Sequence, residues 1–162
     1  PLPRFDKLAD DRADVSTWPV IEGRPRAIVL EGWCLGAAPQ TQAALTAPVN
    51  ALERREDAQG VWRRAINAAL AEDYVGVTRR LDALIFLQAP GFDVVLDWRG
   101  QQEAALTGVA LSSERRDRLA RFIQHYERLT RHMLAGGIAP DLTVDLDADR
   151  RIVAMRPGVE TG

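Results

Sequence analysis

The chain has 162 residues, 46% of them hydrophobic and 27% charged, with a net charge of -2 and a pI near 5.7. That balance excludes a disordered chain, and no apolar run approaches the ~20 residues that a membrane-spanning helix needs. A chain of this length is expected to form one domain, residues 1–162, burying roughly 70% of its unfolded surface. The acidic balance excludes a general basic field for nucleic acid, although Arg115, Arg116, Arg118 and Arg121 cluster locally.

Residues 1–26 carry Pro1, Pro3, Pro19, Gly23 and Pro25 among charges and read as an extended or loop-rich entry. Nothing in this stretch has the apolar segment of a secretory signal. With Cys34 as the only cysteine, no internal disulfide forms, and a reducing cytoplasm is the default compartment. "AIVLE", residues 27–31, is a short β-branched run of the kind that forms a strand buried on both faces, and residues 37–50 read as loop. From Leu52 to Leu70 the apolar positions Val61, Trp62, Ala65, Ile66, Ala69 and Leu70 predict a helical stripe, with Gly60 as a break or start.

"ALIFLQAP", residues 83–90, predicts a second buried strand stopped by Pro90, and residues 92–106 return to helix. The strongest helix spans residues 112–134. Its Leu119, Phe122, Ile123, Tyr126, Leu129 and Met133 follow three-and-four spacing, a serine at 112 or 113 caps it, and Gly136 and Gly137 close it. The end, "DLTVDLDADRRIVAMR", predicts a hairpin turning at Asp147-Ala148-Asp149. Strands alternating with helices point to an α/β layered fold with a mainly parallel sheet.

Several groups carry a chemical reading beside a plainer one. Glu31 ends a strand and is followed by Gly32; it either opens an ordinary turn or supplies the carboxylate that nucleotide-binding α/β folds place at strand ends. Arg99, Gln102 and Glu103 share one helical face. Arg99 either reaches a transferred phosphate with its planar fork or pairs with Glu103 on the surface. Asp6, Lys7, Asp10, Asp11 and Arg12 form a loop of mixed sign, suited either to solvent or to a small anionic substrate. Glu127 and Arg131 are spaced for an ion pair, while His125 and His132 lack acidic or cysteine partners at ligand spacing, so a metal-histidine site is not expected. Cys34 lacks a histidine partner, and a catalytic thiol is not expected either.

Taken in order, "P-x-F-D-K" with a following arginine, "I-V-L-E-G-W-x-L-G", "V-N-x-L-E", "W-R-x-Q-Q-E" and "F-I-x-x-Y-E-R-L-T" resemble the C-terminal two-thirds of D-glycerate 3-kinase-type proteins, within the P-loop kinases. The resemblance implies a P-loop NTPase-like layered fold and transfer of the γ-phosphoryl of ATP, with Mg²⁺, to a hydroxyl of glycerate or a similar small acceptor. It implies that Glu31 lies near the metal, that Gly32, Arg99 and Gln102 serve the nucleotide, and that Asp6, Lys7 and Arg12 lie near the acceptor. Arg99 would work by neutralising charge on the phosphoryl oxygens, since phosphoryl transfer depends mostly on positioning and electrostatics.

The glycine-rich G-x-x-x-x-G-K-[ST] loop of such kinases is missing: the only lysine, Lys7, follows Asp6. The expectation is therefore a C-terminal portion, inactive by itself and completed by an N-terminal P-loop segment or chain. The alternative is a non-catalytic binding or regulatory module that kept the scaffold.

Overall fold

The computed structural model describes residues 1–6, 9 and 11–158. They belong to two compact units, Pro1–Glu31 and Gly32–Gly162.

In the first unit β1 (Phe5–Asp6) and β2 (Asp11–Arg12) pair antiparallel, with Phe5 opposite Arg12 and Asp6 opposite Asp11. A single 3-10 turn, Val15–Thr17, follows; the Asp14 carboxylate opens it by accepting from the Ser16 amide at 2.8 Å and the Ser16 hydroxyl at 2.5 Å. The loop-rich reading of residues 1–26 agrees with this. The buried strand expected at residues 27–31 does not form. Residues 27–30 run through irregular backbone with Ile28 83% and Val29 92% exposed. A β-branched run becomes a strand only when a neighbour completes its hydrogen-bond ladder, and no described strand pairs with this one.

In the second unit the order is α1 (Ala51–Glu56), α2 (Val61–Ala71), the single turn α3 (Val75–Thr78), β3 (Ile85–Gln88), α4 (Val94–Thr107), α5 (Ser113–Leu134), β4 (Leu142–Leu146) and β5 (Ile152–Pro157). The first helical span is divided at Gly60, whose φ of +68° is a left-handed conformation that suits glycine. Asn50 caps α1 by accepting from the Glu53 amide at 3.0 Å, and Glu53 reaches back to the Val49 amide at 3.0 Å, a near relative of the capping box. Asp57 then opens α2 by accepting from the amides of Trp62 and Arg63 at 2.9 and 3.2 Å. Ser112 caps α5 by accepting from the Arg115 amide.

The sheet is mixed rather than mainly parallel. β3 pairs parallel with β4, with Leu87 opposite Val144, and β4 pairs antiparallel with β5, with Val144 opposite Met155. The C-terminal hairpin is as expected from the sequence. β3 is a strand but not a buried one: Ile85 and Leu87 are 59% and 63% exposed, whereas Phe86 on the opposite face packs against the buried cluster of Ala37, Leu70 and Met133. Helices cover one face of the sheet, so only alternate residues of β3 are sheltered. A second cluster, Phe92, Val95, Leu119 and Ile123, joins α4 to α5.

The helical stripe expected on α2 is largely turned around. Val61, Trp62 and Ile66 are exposed, while Arg63 and Asn67 are buried beside Leu70. Arg63 is inside because four consecutive carbonyls need donors. Its Nε donates to Leu45 O at 2.6 Å and its Nη2 to Thr46 O at 3.1 Å; Arg128 of α5 donates to Ala44 O at 2.9 Å and Ala47 O at 2.7 Å. Each arginine also meets a carboxylate. Arg128 grips Glu53 with two bonds of 2.8 and 2.7 Å, and Arg63 bonds Asp57 at 3.2 Å. Buried backbone acceptors and buried charges are thereby matched in one network, above which Leu45 is 2% exposed.

Burial opposes ionisation of Glu53, but the Arg128 hydrogen bonds, the Val49 amide and the Arg128 and Arg63 charges hold its pKa below the ordinary value. In Asp57 burial is likewise outweighed by the amides of Trp62 and Arg63 and by the Arg63 guanidinium. Two outcomes are expected. Arg128→Met, which leaves Glu53 buried without its partner, lowers unfolding free energy by about 3–5 kcal/mol in urea titration, and adding Glu53→Leu restores part of the loss. In acid, the unfolded chain binds protons on these two carboxylates before the folded chain does. Their contribution is therefore complete above the ordinary carboxylate range, about pH 4, and is lost as the pH falls through the lower folded values; a Glu53→Gln variant flattens that acid limb of the stability profile.

Candidate functional site

Ligand sites in open α/β sheets form beyond the carboxyl ends of parallel strands. Two segments leave the carboxyl ends of the parallel pair here: the connection from β3 into α4, and the turn from β4 into β5. They are fastened together at Trp98 of α4. Its indole N–H donates to Ala148 O at 2.7 Å, and the Arg150 guanidinium lies 5.1 Å from the Trp98 ring centroid and donates to Trp98 O at 3.3 Å. Within the turn, the Asp147 carboxylate accepts from the amides of Asp149 and Arg151 at 2.9 and 2.8 Å. Between helix and turn opens a shallow groove of about 590 Å³, lined by Trp98, Arg99, Gln101, Gln102, Ala105 and Arg150.

Arg99 and Gln102, singled out in the sequence, meet in this groove: an Arg99 Nη donates to the Gln102 side-chain oxygen, and the guanidinium lies 6.0 Å from the Phe122 ring centroid. The surface pair between Arg99 and Glu103 does not form, because Glu103 turns to Arg115 at 3.9 Å. Arg99 makes no ion pair among the described residues, and its Nε is buried without an acceptor. A permanent cation without an ion-pair partner among the described residues, in a groove past the strand ends, is equipped to bind an anion.

The other sequence candidates fall elsewhere in the chain. Asp6 and Arg12 share the β1–β2 ribbon and are exposed; Asp6 accepts from the Ala9 amide at 3.2 Å. Lys7 lies outside the described residues. Glu31 is exposed in irregular backbone, the last residue of the first unit, and Gly32 is the first of the second. A Cβ at Gly32 would meet Leu35 Cβ at an ordinary 3.5 Å. The demanding glycine of this motif is Gly36, with φ +82° and Leu84 2.6 Å from where a Cβ would stand.

The neighbouring motif residues serve the scaffold. Trp33 stacks on Tyr126 with centroids 4.6 Å apart and planes 7° apart, and its indole N–H donates to the Thr130 hydroxyl at 3.1 Å. Glu127 and Arg131 pair as expected at 2.8 Å, and Glu127 also accepts from Asn50 at 3.1 Å. His125 and His132 ring nitrogens lie 3.0 Å from Phe122 O and Ala38 O. Burial pushes the Cys34 thiol up to about 11, so it stays protonated near neutrality. Arg150 and the stapling role of Trp98 were not singled out in the sequence; the available signal was a basic residue next to the predicted turn.

Helices laid on one face of a sheet with a parallel pair, and a groove lined by Arg99 and Arg150 beyond its carboxyl ends, define an α/β protein with a candidate ligand site at the place such folds put one. No family model matches the chain. Its sequence is similar to that of a chloroplastic D-glycerate 3-kinase of Arabidopsis thaliana, with 30% identity over an alignment covering 92% of this chain and 33% of that protein. An uncharacterized kinase of Schizosaccharomyces pombe, mug58, is 28% identical over 77% of this chain and 46% of its own length. The solved D-glycerate 3-kinase from Cryptococcus neoformans matches with a TM-score of 0.72 at 22% identity, covering 96% of this chain and 58% of that one.

The chain's homologues are thus D-glycerate 3-kinases and a kinase-like protein, and it shares the α/β fold of the part of the solved kinase that it matches. It spans between a third and about half the length of the curated relatives it matches, a coverage that fits the C-terminal portion of a glycerate kinase.

The two motif glycines are expected to separate by thermal melting. Gly36→Ala lowers stability by more than about 1 kcal/mol, because it adds a clash to a left-handed backbone, while Gly32→Ala leaves the melting temperature nearly unchanged.

Proposed function

We propose that this chain is the C-terminal part of an ATP-dependent small-molecule kinase of the D-glycerate 3-kinase type, which transfers the γ-phosphoryl of ATP to a hydroxyl of glycerate or a similar small acceptor. The observation that carries this reading is the 30% identity to a D-glycerate 3-kinase across 92% of the chain.

In this reading Arg99, steadied by Gln102 and the Phe122 ring, supplies positive charge to the phosphoryl oxygens, and Gly32 lets backbone approach the nucleotide. Asp6, Lys7 and Arg12 orient the acceptor. Mg²⁺ in such kinases takes one or two carboxylates, with phosphate oxygens and waters completing its shell. A lone exposed carboxylate such as Glu31 fits that donor set, and no group of three or more metal-ligating side chains occurs among the described residues. When bound, the ion would neutralise charge on the β- and γ-phosphates.

The phosphate cradle is proposed to come from a P-loop-bearing segment or chain that completes the site, so that this chain alone is inactive. Two observations support that arrangement: Lys7 is the only lysine and follows Asp6, and the outer edge of β3 has no partner among the described residues. The same two observations favour, as a second reading, a non-catalytic binding or regulatory module. No described helix is long and apolar enough to cross a membrane. We place the protein in the cytoplasm on the strength of its single, unpaired Cys34.

The test is ADP release, with ATP, Mg²⁺ and a panel of small hydroxylated acceptors, from this chain and from the complete gene product. The complete protein is expected to turn over D-glycerate, with kcat lowered at least about a hundredfold by Glu31→Gln or Arg99→Ala, while the chain alone gives no turnover. Turnover by the chain alone would overturn the need for a completing segment. Silence of the complete protein across the panel would select the non-catalytic reading.

A further inference from the structure

We propose that Arg150, supplied by the turn between β4 and β5, is a second anion-binding arginine that lines, with Arg99, the groove on α4, and that the two form a clamp for an oligophosphate chain. The proposal deepens the kinase reading and rests on it for the identity of the ligand, the phosphates of a nucleotide.

Three features of the groove support it. Both arginines are among the residues that line the same 590 Å³ space, and neither has an ion-pair partner among the described residues. The acidic groups of the turn are otherwise engaged: Asp147 accepts from two backbone amides, and Asp149 lies 3.8 Å from Arg151. The positive charge of Arg150 is therefore left without local compensation. The Arg99 charge is likewise uncompensated: its guanidinium bonds only the neutral Gln102 side chain among the described residues.

Arg150 is also held in a costly conformation. It is the only non-glycine residue with positive φ among the described residues, at +63°. A left-handed arginine persists where surrounding contacts determine it, and such residues gather at ligand sites. Here the turn's own hydrogen bonds, among them Arg150 N–H to Asp147 O at 3.0 Å, hold the backbone, and the Trp98 ring and carbonyl hold the guanidinium. The Trp98 indole bond to Ala148 O fixes the turn itself. Two planar forks on separate elements suit a ligand with several phosphate oxygens spread along a chain, more than a single phosphate monoester.

The positive φ supplies an unusually clean test. Arg150→Gly removes the fork but keeps, and relaxes, the backbone conformation, which offsets the lost Trp98 contacts, so it is expected to stay folded with a melting temperature near the parent's. Titration calorimetry of the chain with inorganic tripolyphosphate is expected to show binding that weakens about tenfold or more in Arg150→Gly and in Arg99→Ala, with Arg150→Lys between glycine and the parent. 3-Phosphoglycerate, a monoester, is expected to bind more weakly than tripolyphosphate. The assignment is overturned by no binding of tripolyphosphate, by unchanged affinity in Arg150→Gly, or by equal affinity for the monoester. Because the readout is binding by this chain, its failure is distinguishable from failure of ADP release by the complete protein.

Discussion

The second unit depends on two buried arginines that convert a loop into a fixed wall. Residues 44–47 present four successive carbonyls to the interior, and Arg63 and Arg128 take two each while closing on Asp57 and Glu53. None of these groups is affordable alone, since a carbonyl without a donor or a carboxylate without a cation is costly in the interior. Together they tie α1, α2 and α5 to one loop. Lysine would not serve at either position, because a single ammonium lacks the planar fork that meets a carboxylate and backbone oxygens at once.

That network changes the meaning of the motifs by which the chain is recognised. The "V-N-x-L-E" and "Y-E-R-L-T" segments contain Asn50, Glu53, Glu127 and Arg128, which bond to one another across more than seventy residues of sequence. Trp33 of the glycine-tryptophan motif stacks on Tyr126 and bonds to Thr130 of the last one. Much of the ordered resemblance to glycerate kinases therefore records how the scaffold holds itself together. The functional claim is concentrated in fewer residues: Arg99 and Gln102 in the groove, with Glu31 and the ribbon bearing Asp6 and Arg12 as separate candidates.

The sheet leaves apolar surface exposed on one face among the described residues. One face of β3 is sheltered by Phe86 under the helices, while Ile85 and Leu87 look outward and the strand's outer edge carries unpaired backbone groups among the described residues. An exposed apolar edge invites pairing with another strand. The uninterrupted apolar run at residues 27–30 is likewise exposed, and both runs have the β-branched and apolar composition common in buried strands.

The sequence by itself determined the local elements. Ser112 and the three-and-four spacing define α5, Gly60 divides the first helical span, Pro90 ends β3, and the Asp147 turn makes the hairpin, because caps, breakers and periodicity act within a few residues. It also held, in ordered motifs, the resemblance to glycerate kinases. What only the tertiary structure decided was which face of an element is inside. The apolar stripe of α2 turned outward because four loop carbonyls required Arg63; the run at 27–31 stayed irregular because a strand needs a neighbour; and Arg150 joined Arg99 because the hairpin turn docks on Trp98. Each of those outcomes depends on partners between 17 and 50 residues away or on a strand the described residues do not supply, and periodicity within one segment carries no record of them.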